Sequence, residues 1–270
     1  MDLNNLMQNT QKFTDEKYNI LYQEWDEVHH FASPTYELRK RLILKILNKY
    51  IKEKKNATLL DVGCGTGDYS IKLAKLGFYV TVFDFSEYAI KKAVSNCKEL
   101  GIENVNFQLD DITKFNTNKK FDVILISEVL EHIDNDLEIF KKYTNFINEE
   151  GFILCSVPFD PALWSQEDEH AGHIRRYDRN RINLLLEASN FQITDWFCYG
   201  FPFLRMMWFL RTRKKFFKRA TNNIVKKQKD SFFIKFFIKF VVFFDSFFTK
   251  SKKGVGLIFC GKKRTSIIRN

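Results

Sequence analysis

The chain has 270 residues, 45% of them apolar, enough to bury the core of one large domain or of two small ones. Its five cysteines (Cys64, Cys97, Cys155, Cys198 and Cys260) are dispersed and include no Cys-x-x-Cys pair. That argues against a disulfide framework or a cysteine zinc site and for a reducing, cytoplasmic setting. The N-terminus, MDLNNLMQNTQKF, lacks the apolar stretch of a secretory signal. The net charge of +10 is uneven, with −7 on residues 1–200, +13 on residues 201–253 and +4 on the remainder. Fourteen of the 29 phenylalanines lie between Phe201 and Phe248, so the basic stretch is also the aromatic one and predicts a separate task for it.

In chain order, residues 1–36 are expected to form a helical N-terminal lead-in. Residues 37–55 place Leu42, Ile43, Ile46, Leu47 and Ile51 at helical spacing. Strands and helices then alternate: ATLLDVG, a helix over Tyr69–Leu76, YVTVFD, a helix over Glu87–Leu100 ended by Gly101, VNFQLD, and FDVILIS. A helix follows from about Asp134 to Asn148, closed by Gly151, and then the strand FILCSVP. A loop leads to a helix over Arg179–Ser189, the strand FQITDWF and, some fifty residues later, a strand in GVGLIFCGKK. This alternation predicts an α/β, Rossmann-like, mostly parallel seven-stranded sheet with helices on both faces. The expected division is residues 37–202 plus 254–270 as the main domain and 203–253 as a helical insertion between the last two strands. No internal repeat is present.

The stretch LLDVGCGTGDYS (Leu59–Ser70) is the most informative. Gly63, Gly65 and Gly67 let the backbone turn tightly and approach a ligand, with Cys64 inside the turn. The following helix presents N–H groups and its positive end to an anion. Nicotinamide and flavin sites use Gly-x-Gly-x-x-Gly; here the spacing is Gly-x-Gly-x-Gly, and Asp68 stands where a third glycine would be. That acid repels a pyrophosphate but tolerates a sulfonium, which points to S-adenosylmethionine (SAM) as cofactor. Asp61 is placed to fix the loop or meet the ligand's ammonium. Asp84, followed by Phe85, is placed for the ribose hydroxyls. Asp111 with Ile112 suits an adenine, the acid taking the amino group and the apolar side chain the ring. Each acid could alternatively be a helix cap.

The segments LLDVGCGTG, VFDFSE, LDDI and FDVILISEVLEHI together resemble the type 11 group of class I SAM-dependent methyltransferases, which includes the ubiquinone-biosynthesis O-methyltransferases. The resemblance covers roughly residues 37–200 and 254–263. It implies that Ser127 and Glu128 lie near SAM, that Arg39 (or else Arg41) approaches the methionyl carboxylate, and that the last two strands form an antiparallel hairpin at the sheet edge. Glu27–Phe31, EVHHF, resembles a lead-in of relatives encoded with glycan-assembly enzymes.

Methyl transfer to a hydroxyl needs alignment, exclusion of water and a base, and no metal in principle. Candidate bases are His132 beyond the fourth strand, and His170 and His173 in WSQEDEHAGHIRRY (Trp164–Tyr177). Relatives carry a similar Gly-His-x-Arg-Arg-Tyr stretch. Of these, His173 is the first candidate; His132 could equally pack as a structural side chain. One of Arg175 and Arg176 is expected to pair with an acid, and Asp178 with Arg181 to begin a helix. Glu128, Glu131 and His132 could share one helical face as a divalent-metal site; the primary reading assigns no metal.

In FFIKFFIKFVVFFDSFF (Phe232–Phe248), Lys235, Lys239, Val242 and Ser246 form one thin stripe on an otherwise apolar helix. Its apolar runs are too short to span a bilayer. Together with RMMWFLRTRKKFFKR upstream, it reads first as a membrane-surface lid peripheral to the inner face, delivering a lipid or lipid-linked substrate. It reads second as a cap burying its phenylalanines, and last as a nucleic-acid surface, which the acidic main domain opposes. The overall expectation is a methyl transfer to a hydroxyl of a small amphipathic or lipid-linked molecule. The alternatives are a protein or nucleic-acid methyltransferase, disfavoured because Ser127-Glu128-Val129-Leu130 stands where an Asn-Pro-Pro-Tyr-type motif would be, or a non-catalytic scaffold.

Overall fold

The computed structural model describes residues 34–51, 56–213 and 232–264. The lead-in pair His29 and His30, and the basic run 214–231, lie outside the described residues.

Helix α1 (Pro34–Ile51) buries Leu42, Ile43, Ile46 and Leu47 of the stripe that the spacing predicts, and Leu38 with them. The alternation that follows is β1 (Thr58–Val62), α2 (Asp68–Lys75), β2 (Tyr79–Asp84), α3 (Glu87–Glu99), β3 (Val105–Leu109), β4 (Phe121–Ser127), α4 (Asp136–Thr144), β5 (Ile147–Pro158), α5 (Gln166–Ala171), α6 (Arg179–Ala188) and β6 (Phe191–Tyr199). Helices α7 (Phe203–Arg213) and α8 (Phe232–Asp245) precede β7 (Gly256–Lys263). The seven strands stand in the order β3-β2-β1-β4-β5-β7-β6. The first five are parallel, and β7 runs antiparallel to both β5 and β6. The expected edge hairpin is therefore present. The order reverses between β1 and β4, the switch point where such sheets open a crevice at their carboxyl ends.

Burial explains the strand pattern. Central β4 is covered on both faces and reads as a continuous apolar run, whereas edge strand β3 alternates with exposed residues. Gly151 does not close a helix. Helix α4 ends at Thr144, β5 already begins at Ile147, and Gly151 lies within that strand. A Cβ on Gly151 would stand 2.9 Å from the Asp122 carbonyl oxygen, so the glycine permits close strand approach.

The insertion is tied into the main core. Leu204, Val241 and Val242 are buried in the same cluster as the α1 leucines. Buried Asp245 accepts hydrogen bonds from the backbone N–H of Phe203 (2.9 Å) and Leu204 (3.0 Å), holding α7 and α8 together. Of the thin stripe expected on α8, Lys239 and Ser246 are exposed, but Val242 is buried, 1% exposed, and phenylalanines share the solvent side with the lysine. Burying the valines against α1 sets the orientation of the helix and leaves Phe236, Phe240, Phe243 and Phe244 outside.

Candidate functional site

Gly63, Gly65 and Gly67 all take left-handed backbone, with φ of +67°, +54° and +85°. Neighbours reinforce two of them: a Cβ on Gly63 would reach 2.7 Å from Val129 Cγ2, and one on Gly67 2.9 Å from Ala93 Cβ. The N–H groups of Gly63 and Cys64 both donate to the Phe83 carbonyl, at 3.0 and 3.1 Å, which stitches the loop to the end of β2. Asp84 completes the stitch. It is buried, with Oδ2 accepting from Gly65 N–H and Oδ1 from Ser86 N–H, each at 2.9 Å. The acid that sequence placed for ribose therefore also shapes the glycine loop.

Asp61 is buried under the loop and accepts from Ser70 Oγ at 2.5 Å. Burial pushes its carboxyl up to about 7, with nearby Asp84 adding to the shift and Ser70 opposing it. Asp68, the acid in place of a third dinucleotide glycine, accepts a short hydrogen bond from the Tyr36 hydroxyl. Asp111 accepts from the N–H and Oγ of Thr113 at 2.7 and 2.6 Å, a local turn that holds the β3 end. Ile112 is half-buried there, and its carbonyl accepts from Tyr143. Phe85, half-buried, follows Asp84 at the same rim.

At the end of β4, Ser127 and Glu128 meet the arginine of α1. Arg39 pairs with Glu128 at 2.7 Å and its Nε reaches the Tyr69 hydroxyl at 3.4 Å, while Arg41 is exposed on the far side of the helix. Ser156 Oγ donates to Glu128 Oε1 at 3.0 Å and lies 2.9 Å from Ser127 Oγ. Glu128 itself has φ +56°. A non-glycine residue held in this region costs on the order of 1–2 kcal/mol, and the ion pair and serine contacts hold it there.

The histidines separate. His170 lies on the exposed side of α5. His132 stands in a 3-10 turn, Leu130–His132, with its Nδ1 3.0 Å from the Gly172 carbonyl. His173 is 15% exposed, its ring 5.0 Å from that of His132. Its Nδ1 lies 2.9 Å from Asp168 Oδ1. Asp168 is buried and also accepts from Arg176 Nε at 2.8 Å and from Ser165 N–H at 2.9 Å. Burial works against its charge, but the His173 hydrogen bond and the Arg176 guanidinium outweigh that and hold its carboxyl below the usual range. An ionised Asp168 fixes the proton of His173 on Nδ1 and leaves Nε2 as the basic nitrogen.

Glu128 does not share a helical face with Glu131 and His132, because a left-handed residue and a 3-10 turn intervene and Arg39 draws Glu128 away. Glu131 turns toward His173 instead. It is fully buried and neither carboxylate oxygen has a hydrogen-bond partner. Burial, and next Glu128, push its carboxyl well above the usual range, and its Oε1 lies 3.9 Å from His173 Nε2. Glu131, His132 and His173 each place a ligand atom within 4.8 Å of the others, a spacing one divalent cation could bridge.

Both arginines of the loop pair with acids: Arg175 with Asp136 at 3.0 Å and Arg176 with Asp168. Asp178 caps α6 through the Arg181 N–H at 2.8 Å. Sequence reasoning passed over Asp168, Tyr69 and Ser156. Asp168 carried a legible local signal, since Ser165-x-x-Asp168 forms a capping box at the start of α5. Tyr69 and Ser156 carried none, because their meeting depends on the sheet.

The sequence profile described as methyltransferase domain matches residues 53–196, more than half of the chain. A ubiquinone biosynthesis O-methyltransferase of Rickettsia canadensis is 28% identical over 147 residues, 54% of this chain and 61% of the relative. A ribosomal protein L11 methyltransferase of Campylobacter fetus is 34% identical over 116 residues, 42% of this chain and 39% of the relative. The chain thus matches less than two thirds of the length of either relative. Among solved structures, a putative sarcosine dimethylglycine methyltransferase from Galdieria sulphuraria superposes with a TM-score of 0.61 at 12% identity, covering 85% of both chains. That likeness is one of fold.

Proposed function

The chain belongs to the methyltransferase domain family, and from that premise we propose that it transfers a methyl group from SAM to a hydroxyl of a small amphipathic or lipid-linked acceptor. The donor set fits SAM. Asp61, Asp84 and Asp111 ring the strand ends with negative charge suited to a sulfonium and an ammonium, and Arg39 supplies the cation for a carboxylate. The glycine loop would hold the methionyl end, with Cys64 in the turn. Asp84 and Phe85 would hold the ribose, Asp111 and Ile112 the adenine, and Ser127 and Glu128 would line the floor. When bound, SAM supplies a methyl group already activated by the positive sulfur.

The remaining work falls to side chains of this chain. His173 Nε2 takes the proton of the acceptor hydroxyl, and Asp168 stabilises the imidazolium that results. Buried Glu131, 3.9 Å from that nitrogen, and the low exposure of His173, 15%, limit water there. The observation that carries the hydroxyl reading is the Asp168–His173 pair at 2.9 Å, a base oriented by an ionised acid at the carboxyl rim of the sheet. The 28% identity to a ubiquinone biosynthesis O-methyltransferase supports the same acceptor class. The L11 relative favours a protein acceptor instead, but over only 42% of this chain.

Titration calorimetry and turnover of His173→Ala test the reading together. SAM is expected to bind the variant as it binds the parent, while turnover falls on the order of 100-fold or more. Unchanged turnover removes His173 from the role, and absence of SAM binding by the folded parent ends the proposal.

A further inference from the structure

Helix α8 has two apolar faces. Val241 and Val242 are each 1% exposed and, with Asp245, pack inward toward α1 and α7. On the other side Phe236, Phe240 and Phe243 follow at i, i+4 and i+7, and Phe247 stands in the 3-10 turn Ser246–Phe248 after the helix; they are 61%, 42%, 55% and 67% exposed. The partner helix α7 adds Met206 and Leu210, about half exposed. A folded surface seldom displays so many large apolar side chains together without an occupant.

Charge identifies the occupant. Residues 201–253 carry 15 Lys and Arg against two acids; Asp245 is buried and accepts from the α7 N–H groups, and Asp230 lies outside the described residues. Lys239, Lys250, Lys252 and Lys253 are exposed and have no acidic partner among the described residues. Two copies of this face set against each other would bring like charge to like charge. A polyanionic nucleic acid would meet the net −7 of residues 1–200 beside the site. An anionic lipid surface suits both features, with phenylalanines at the acyl boundary and lysines among the phosphates. No described helix is long and apolar enough to cross a membrane, so the helices would lie on it.

We propose that the exposed face of α7 and α8 docks on an anionic lipid bilayer and presents the His173 loop to the lipid–water interface. The connection to that loop is direct. Trp208 of α7 donates from Nε1 to the Leu163 carbonyl at 3.1 Å, and Arg176 stacks 4.6 Å over the Trp208 ring. The same Arg176 holds Asp168, the partner of His173. Arg205 of α7 also clamps Asp160, at 2.6 Å. A bilayer beneath these helices therefore meets the loop of the candidate base, where a lipid-linked acceptor can reach it without leaving the membrane.

The test is flotation of the full chain with vesicles of equal parts phosphatidylglycerol and phosphatidylcholine, and with phosphatidylcholine alone. The parent is expected to float with the anionic vesicles and to be released by high salt. Phe243→Ser and Phe247→Ser lie on exposed positions and should leave the melting temperature and SAM binding intact, while each weakens vesicle binding on the order of tenfold. A second variant, Lys250→Glu with Lys252→Glu and Lys253→Glu, keeps the apolar face and should lose the preference for anionic lipid. Equal flotation of parent and serine variants, or no flotation of the parent, overturns the proposal. So does sedimentation showing a dimer that the serine substitutions split, because a second copy then covers the face.

Discussion

The rim from Asp61 to Glu128 and the loop from Asp160 to Tyr177 both face the carboxyl end of the sheet, but they are built differently. The rim is backbone architecture: three left-handed glycines, strand ends and an aspartate that accepts from the glycine loop. The loop is a side-chain relay, in which Trp208, Arg176, Asp168 and His173 meet from α7, α5 and the turn that follows it. A site can therefore hold its cofactor largely with backbone turns at strand ends and its acceptor chemistry with side-chain contacts, among them Arg176 on Trp208, 32 residues away. The first part is expected to be robust and shared across a fold, and the second to change with the substrate.

The largest predicted effect breaks the relay. Asp168→Ala leaves Arg176 buried without its carboxylate and should cost about 3–5 kcal/mol, read as a lower midpoint in chemical denaturation. Turnover should fall with it, since His173 loses the group that sets its tautomer. Asp168→Asn keeps the size of the side chain and should recover much of the stability and little of the turnover. Equal recovery of both would make Asp168 a purely structural residue.

A pH effect separates the rim from the loop. Asp61 is lifted from 3.8 to about 7 in the fold, so the folded chain holds a proton that the unfolded chain releases. Its contribution to stability is complete below about pH 4 and is lost as pH rises toward 7. Ligand binding runs the opposite way: the ammonium of SAM favours the ionised acid, so affinity should rise between pH 6 and 8. Asp61→Asn should flatten that rise. A parent whose SAM affinity does not vary over this range would detach Asp61 from the ligand.

The smallest effect concerns Glu131. Its carboxyl is pushed well above the usual range and its oxygens have no hydrogen-bond partner among the described residues, so Glu131→Gln should change stability by less than about 1 kcal/mol and leave turnover within about twofold. A large loss of turnover, together with inhibition of the parent by a chelator, would show that Glu131, His132 and His173 hold a cation rather than a proton relay.

Much of the rim was legible in the sequence because its signals are local. Gly63, Gly65 and Gly67 stand at fixed spacing, and the acids fall at the ends of strands whose apolar pattern is unmistakable in YVTVFD and FDVILIS. Arg39 was preferred over Arg41 from resemblance, and the helix turns only Arg39 inward. The loop was legible in composition alone. Three histidines were candidates, but only tertiary contacts distinguish His173 on its aspartate from His170 in solvent. The Glu128–Glu131–His132 grouping assumed a regular helix, and the left-handed Glu128 breaks it. The stripe on α8 holds at Lys239 and Ser246, which are exposed, and breaks at Val242, which is buried. Periodicity finds two faces of a helix, but which one is buried depended on what α1 offers as a packing surface.

The central claim is methyl transfer to a hydroxyl at a site joining the rim to the His173 loop. Methyl-labelled SAM supplied to the full chain with fractionated lipids and lipid-linked glycans tests it most directly. The account predicts label in an O-methyl ether of an amphipathic product, formed by the parent and strongly reduced with His173→Ala. Label recovered on amines, protein or nucleic acid, or equal labelling by parent and variant, would contradict it.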